Sequence, residues 1–419
     1  MKKMLVKGGN TLSGTIKVSG AKNSAVALIP AAMLADETVT IFNVPNISDT
    51  AALIDILELL GSKVDYNNET LVIENHNLKN VVIPEEMSNK LRASYYFMGA
   101  LLGKYKKCEI FFPGGCNIGA RPIDLHLKGF EKMGAKIEVD GDKYIITAEK
   151  LKGARIYLDI ASVGATINIM LAASKAEGTT IISNAAKEPE IVNVATFLNN
   201  MGAQICGAGT SEIKIVGVKE LSKNGIIEVI PDRIEAGTFV IAGALVGKNL
   251  VIESIIKEHL EALFSKLKEI GIPMVLEENK VSVSASQNLN PVNIKTLVYP
   301  GFPTDLGQPI QILLTQIAGT SLFEETIFET RMGHVQYLEK MGAKYKVSGS
   351  NAVINGKTPL TGSEVVATDL RGGAAMVLAG LIAEGTTEIF DVEHILRGYE
   401  DIVEKLTNVG ANIQIIEIQ

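Results

Sequence analysis

Seven arginines stand among the 40 basic residues of the chain, at positions 92, 121, 155, 233, 331, 371 and 397. Six of them fall in two kinds of turn that recur along the sequence. The first kind precedes a strongly apolar helix and holds Lys22, Arg92, Ser162, Arg233, Asp305 and the pair Asp369 and Arg371. The second precedes a more polar helix and holds Ser48, Arg121, Glu188, Glu258 with His259, Arg331 and Arg397. Elsewhere the basic residues are almost all lysines. A guanidinium supplies what lysine lacks, a rigid two-pronged donor for carboxylate or phosphate. A helix N-terminus adds oriented N–H groups to such a site. Any one of these arginines is compatible with a structural ion pair. Six of seven in equivalent turns argue for a basic cleft that takes an anionic ligand.

The loop FFPGGCNIGARPIDLH, residues 111–126, adds a thiol to this chemistry. Cys116 sits among glycines and runs directly into Arg121. Basic neighbours would lower its pKa and favour a reactive thiol, whereas the plainer reading is a small residue filling a turn. The three cysteines form no CxxC pair, and the five histidines show no metal spacing. Gly9–Gly14 has the glycine spacing of a phosphate loop but Thr15 where lysine is needed. Neither a metal nor a nucleotide cofactor is expected.

The elements that carry these turns repeat. The phrases LELLGSKV, FEKMGAKI, LNNMGAQI, LKEIGIPM, LEKMGAKY and LTNVGANI place glycines at 61, 134, 202, 271, 342 and 410. A glycine just past a helix supplies the left-handed residue that ends it. Each interval holds an apolar helix, a β-rich run, a polar helix and alternating strands, so the unit reads βαβαββ. The apolar helices, such as ATINIMLAASKA, lack a polar face and should be buried. Six units of about 70 residues exceed ordinary solenoid periods. Three units around three buried helices give one domain, hence two domains in 419 residues, with Pro231 as the boundary candidate. Hydrophobic residues make up 47% and charged residues 21%, enough for a large core. The net charge of −7 argues against a general nucleic-acid binder. No apolar run approaches a membrane span or a signal peptide, so a cytoplasmic protein is expected.

GAKN at 20–23, RAS at 92–94, PGGCNIGARPIDLH at 113–126, SVGAT at 162–166, AAKEPEI at 185–191, FPTD at 302–305, ATDLR at 367–371 and RGYE at 397–400 resemble the MurA-type family, the UDP-N-acetylglucosamine enolpyruvyl transferases. The similarity runs over essentially the whole chain. It implies two domains, each an inside-out α/β barrel of three repeats: residues 22–229, carrying the cysteine loop, and residues 1–21 with 230–419. The active site would lie in the cleft between them, closing on the sugar nucleotide. The implied reaction is addition of the sugar 3-hydroxyl to C2 of phosphoenolpyruvate, then loss of phosphate. This is the first committed step of peptidoglycan synthesis, and so of cell-wall growth, shape and division. Neither cofactor nor metal is implied.

The resemblance also implies roles. Cys116, Asp305, Lys22 and Arg397 would be catalytic, Cys116 as an acid towards C3 and Asp305 as the base candidate. Lys22, Asn23, Arg121 and Arg397 would hold phosphoenolpyruvate. Asn23, Arg92, Arg121, Pro122, Ile123, Asp124, Leu125, Ser162, Val163, Gly164, Asp305 and Ile327 would line the UDP-sugar site. Arg331, Asp369, Arg371 and Glu188 would support the cleft. Some members carry lysine where this chain has Ser48, which removes one cation. Two other readings remain: the shikimate-pathway transferase, which shares the fold without the PGGC loop, and a silent paralogue that only binds the UDP-sugar.

Overall fold

The computed structural model describes residues 2–114 and 123–417. Among these, twelve helices form six pairs in chain order. The odd-numbered members are α1 (Lys22–Ala32), α3 (Tyr96–Tyr105), α5 (Val163–Ala173), α7 (Arg233–Val246), α9 (Gly307–Thr315) and α11 (Leu370–Ile382). The even-numbered ones are α2 (Ser48–Leu59), α4 (Asp124–Lys132), α6 (Pro189–Met201), α8 (Glu261–Ile270), α10 (Val335–Lys340) and α12 (Ile402–Asn408). The odd helices are buried along nearly their whole length, as expected for segments with no polar face. The even helices bury one side only. The glycine after each even helix has φ between +94° and +115°. At that backbone geometry a Cβ is strained, so glycine ends the helix at low conformational cost.

Six small sheets accompany the six helix pairs. Five follow one order: a lead strand runs parallel to the strand after the odd helix, and an antiparallel pair completes the sheet, a hairpin in all but the sixth. In the third sheet these are Arg155–Tyr157, Thr179–Ser183, Glu212–Val216 and Gln204–Cys206. The second sheet has three strands, and a parallel bridge from Ile83 to Ile110 replaces the lead strand. The βαβαββ unit is thus observed, and in the third, fifth and sixth sheets the parallel step is reached through a buried helix.

The chain divides into two compact units, residues 20–114 with 123–230, and residues 2–19 with 231–417. Each has its own hydrophobic core. In the 20–230 unit α3 packs on both α1 and α5; in the other, α7, α9 and α11 pack pairwise. Fully burying each large apolar side chain of such a helix is worth roughly 1.5–3 kcal/mol. That term drives the odd helices inward.

Three sheets take strands from distant parts of the chain. Gly225–Glu228 leads the first sheet beside Val39–Phe42. Leu12–Lys17 leads the fourth beside Gly247–Glu253. Lys2–Lys7 lies in the sixth, between Thr386–Phe390 and Asn412–Glu417. Among the described residues no helix is long and apolar enough to cross a membrane.

Candidate active site

In the 20–230 unit, Lys22 opens α1, and its Nζ lies 3.0 Å from Asp49 Oδ2 in the first turn of α2. Asp49 is buried at 4% exposure. Its carboxylate also suits the positive end of α2. Asn23 is half-buried beside Lys22, and Ser48 is the first residue of α2. The first two turns of the repeat therefore meet in one ion pair.

A second cluster surrounds the start of α5. Ser162 caps that helix, its Oγ accepting from the Ala165 N–H at 3.2 Å. Val163 and Gly164 form the first turn. A Cβ on Gly164 would lie 2.7 Å from the Tyr95 hydroxyl and 2.9 Å from His126 Cε1, so any side chain there must displace one of these rings. The Tyr95 ring packs edge-on against His126, and the Arg92 guanidinium lies 5.8 Å from the Tyr95 ring centre. Asn168 Oδ1 accepts from the Gly99 N–H at 2.7 Å, which fixes the amide orientation. Asn168 Nδ2 then donates to the Tyr95 carbonyl at 2.8 Å and to His126 Nδ1 at 2.9 Å. The His126 proton is thereby placed on Nε2. Burial, and after it the nearby Arg92 cation, lowers the His126 pKa to about 3, so this ring is neutral at ordinary pH.

Ile123 precedes α4, Asp124 is exposed in its first turn, and Leu125 is buried. Glu188 is buried at the N-terminus of α6, where Pro189 takes the first helical position. Cys116, Arg121 and Pro122 lie outside the described residues. Cys108 is buried in a strand and its thiol pKa is pushed up, chiefly by burial and also by Glu109. It is a packing residue.

In the 231–417 unit, Asp305 lies in the single turn Thr304–Leu306 that leads into α9. Arg331 Nη1 is 2.8 Å from Asp305 Oδ1, and Arg371 Nη2 is 3.2 Å from Oδ2. The two arginine side chains are 4% and 2% exposed, against 23% for the aspartate. These guanidiniums do not stand open. They clamp one carboxylate, one on each of its oxygens. Arg371 also lies over the Tyr399 ring at 5.2 Å, and the Tyr399 hydroxyl is 2.9 Å from Thr238 Oγ1. Arg331 lies over Phe328 at 5.2 Å.

Asp369 caps α11. Its Oδ1 accepts from the Arg371 and Gly372 N–H groups at 2.9 and 3.1 Å, and its Oδ2 from Gln308 Nε2 at 3.0 Å. Burial pushes the Asp369 carboxyl pKa up, but the Arg331 cation and these hydrogen bonds outweigh it and leave the pKa below its ordinary value. His334, fully buried nearby, is pushed down to about 4 by burial first, against the pull of Asp369. Arg233 opens α7 behind the Asp232 cap and lies 5.4 Å from the Tyr299 ring centre. Arg397 is half-buried at the end of the short helix Glu393–Leu396. Ile327 follows the strand Gly319–Glu324, with its N–H donated to Glu325 Oε1 at 2.8 Å.

Residue-type reasoning missed Asp49, Tyr95, His126, Asn168, Glu325 and Thr304. Asn168 carried a signal, being an amide inside the otherwise apolar ATINIMLAA. Gln308 and Gln311 carried the same signal in GQPIQILLT. Glu325 carried none, because charged residues at strand ends are common.

The family model described as EPSP synthase (3-phosphoshikimate 1-carboxyvinyltransferase) matches residues 6–406. The chain belongs to this family of enolpyruvyl transferases. Within the family it is 54% identical over 412 residues to UDP-N-acetylglucosamine 1-carboxyvinyltransferase 2 of Listeria monocytogenes, covering 98% of this chain and 97% of that protein. It is 52% identical over 415 residues to the protein of the same name in Bacillus anthracis, covering 99% and 96%. Among solved structures, the enolpyruvyl transferase NikO from Streptomyces tendae superposes with a TM-score of 0.92 at 26% identity, covering 100% of this chain and 99% of that one. EPSP synthase from Acinetobacter baumannii superposes at 0.76 with 19% identity over 100% of both chains, a likeness of fold.

Proposed function

We propose that this protein transfers the enolpyruvyl group of phosphoenolpyruvate to the 3-hydroxyl of UDP-N-acetylglucosamine, releasing phosphate, in the cytoplasm. The observation that carries this reading is the 54% identity over 98% of the chain to a transferase of that name. The site chemistry supports it. The sugar oxygen bonds to C2 of phosphoenolpyruvate while its proton passes to the Asp305 carboxylate. C3 gains a proton from the Cys116 thiol. The C2–O bond to phosphate then breaks, C3 gives up a proton, and the vinyl ether remains.

Lys22, Asn23, Arg121 and Arg397 hold the phosphate and carboxylate in this proposal. Arg92, the run 121–125, Ser162, Val163, Gly164, Asp305 and Ile327 line the UDP-sugar, while Arg331, Asp369, Arg371 and Glu188 support them. The clamp on Asp305 gives the base a fixed position before substrate arrives.

The test is phosphate release from phosphoenolpyruvate with either UDP-N-acetylglucosamine or shikimate 3-phosphate as acceptor. Release only with the UDP-sugar is expected; release only with shikimate 3-phosphate overturns the assignment. Cys116→Ser should lose most of the activity, and the epoxide fosfomycin with the sugar nucleotide should add covalently to Cys116 in the wild type. An unmodified Cys116 in the mass spectrum would remove the thiol from the scheme.

A further inference from the structure

Glu325 is 3% exposed, and its carboxylate is filled by donors. Oε1 accepts from Thr296 Oγ1 at 2.8 Å, from the Ile327 N–H at 2.8 Å and from the Phe328 N–H at 3.3 Å. Oε2 accepts from Thr304 Oγ1 at 2.7 Å. A hydroxyl has one proton, and Thr304 gives it to Glu325. The Thr304 oxygen is therefore an acceptor towards its other neighbour, Arg331 Nη1, at 2.9 Å. The same Nη1 lies 2.8 Å from Asp305 Oδ1. One carboxylate thus fixes the turn that carries Ile327 and, through one hydroxyl, the guanidinium that holds Asp305.

We propose that Glu325 is a positioning residue for the Asp305–Arg331 pair and for the Ile327 turn. It acts through Thr304 and the two backbone N–H groups and does not itself touch substrate. This inference rests on the function proposed above, in which Asp305 takes the sugar hydroxyl proton. Without the Thr304 oxygen, Arg331 loses one of its two anchors at Nη1, and the Oδ1 side of the clamp on Asp305 loosens while Arg371 still holds Oδ2. A displaced base costs rate more than affinity.

The experiment compares wild type with Thr304→Val, Thr304→Ser and Glu325→Gln. It measures kcat for phosphate release, KM for UDP-N-acetylglucosamine and for phosphoenolpyruvate, and Tm. Thr304→Val has nearly the shape of threonine but cannot accept from Arg331, and its kcat should fall about tenfold or more with KM changed less than about twofold. Thr304→Ser keeps the hydroxyl and should restore kcat to within about twofold of wild type. Glu325→Gln should lower kcat and also raise KM for the UDP-sugar, because it disturbs both the relay and the turn. Should Glu325→Gln fail to fold, the two Thr304 variants decide. Wild-type kcat in Thr304→Val, whatever its Tm, overturns the inference alone. A wild type that releases no phosphate with UDP-N-acetylglucosamine overturns the proposed function and the inference with it.

Discussion

Lys22 Nζ lies 3.0 Å from Asp49 Oδ2, so the cation expected to meet phosphoenolpyruvate has a buried anion behind it. The partner is the residue after Ser48, where some relatives are expected to carry a further lysine. Here Asp49 pairs with Lys22 from the first turn of α2.

Asp49→Asn should therefore act on both stability and substrate. Removing one member of a largely buried pair costs about 1–3 kcal/mol. The freed ammonium also loses its orientation, so kcat/KM for phosphoenolpyruvate should fall about tenfold while KM for the UDP-sugar changes little. Thermal melts and phosphate-release kinetics read the two effects separately. Unchanged kinetics would show that Asp49 does not orient Lys22.

Glu235 should give the folded protein an unusual pH dependence. It is buried on α7, accepts from the Ser19 N–H at 2.7 Å and pairs with Lys405 Nζ at 2.6 Å. Burial raises its pKa from the ordinary 4.5 to about 7 despite Lys405. Between those values the folded chain holds a proton that the unfolded chain has released. This contribution to stability is full below about pH 4.5 and is lost as pH rises through about 7. Glu235→Gln should remove that loss, so its Tm should gain on wild type from about pH 5 to about pH 8. Parallel Tm profiles would show that Glu235 titrates normally.

His126 and His334 carry the opposite slope. Their folded pKa values of about 3 and about 4 lie below the ordinary 6.5. Each contributes stability that is full above about pH 6.5 and is lost as pH falls towards those values. Of the five histidines, these two should show no ring-proton titration between about pH 5 and 8 in an NMR series. A midpoint near 6 to 7 for either ring would place it in water rather than in the core.

Gly164→Ala should destabilise the protein although alanine is the better helix former. The propensity gain is about 1 kcal/mol. The new Cβ would press on the Tyr95 hydroxyl and His126, an overpacking cost of about 1–3 kcal/mol. A lower Tm and a raised KM for the UDP-sugar are expected. Tyr95→Phe removes the contacting oxygen and should recover part of the Tm loss in the double variant. A Tm above wild type in Gly164→Ala would show that the site yields.

The local features of the fold were legible in the sequence. The repeat glycines announced the helix ends, and helices without a polar face announced the buried layer. Ser162 and Asp369 were legible as residues of the turns before apolar helices, though not as the caps they prove to be. Strand pairing was not, because nothing local in Lys2–Lys7 or Gly225–Glu228 specifies a partner hundreds of residues away. For the site, type and spacing selected the arginines and Asp305. They did not show that Arg331 and Arg371 spend their charge on Asp305. Nor did they mark Asp49, Thr304 and Glu325, whose importance lies in what they touch. An acidic residue after a strand has the same appearance whether it faces water or four donors.

The placement of Lys2–Lys7 in the sixth sheet has a consequence for synthesis. The 20–230 unit has all its described strands once residue 228 is made. The strand Lys2–Lys7 pairs with Thr386–Phe390 and Asn412–Glu417. Its partners emerge about 380 residues later, on the order of 20–80 s at common translation rates. During that interval the strand keeps two open edges. Lys2, Lys3 and Lys7 charge those edges, which discourages pairing with another nascent chain. Truncation before residue 412 would leave Lys2–Lys7 without one of its partners, so residues translated late govern whether this strand finds its place.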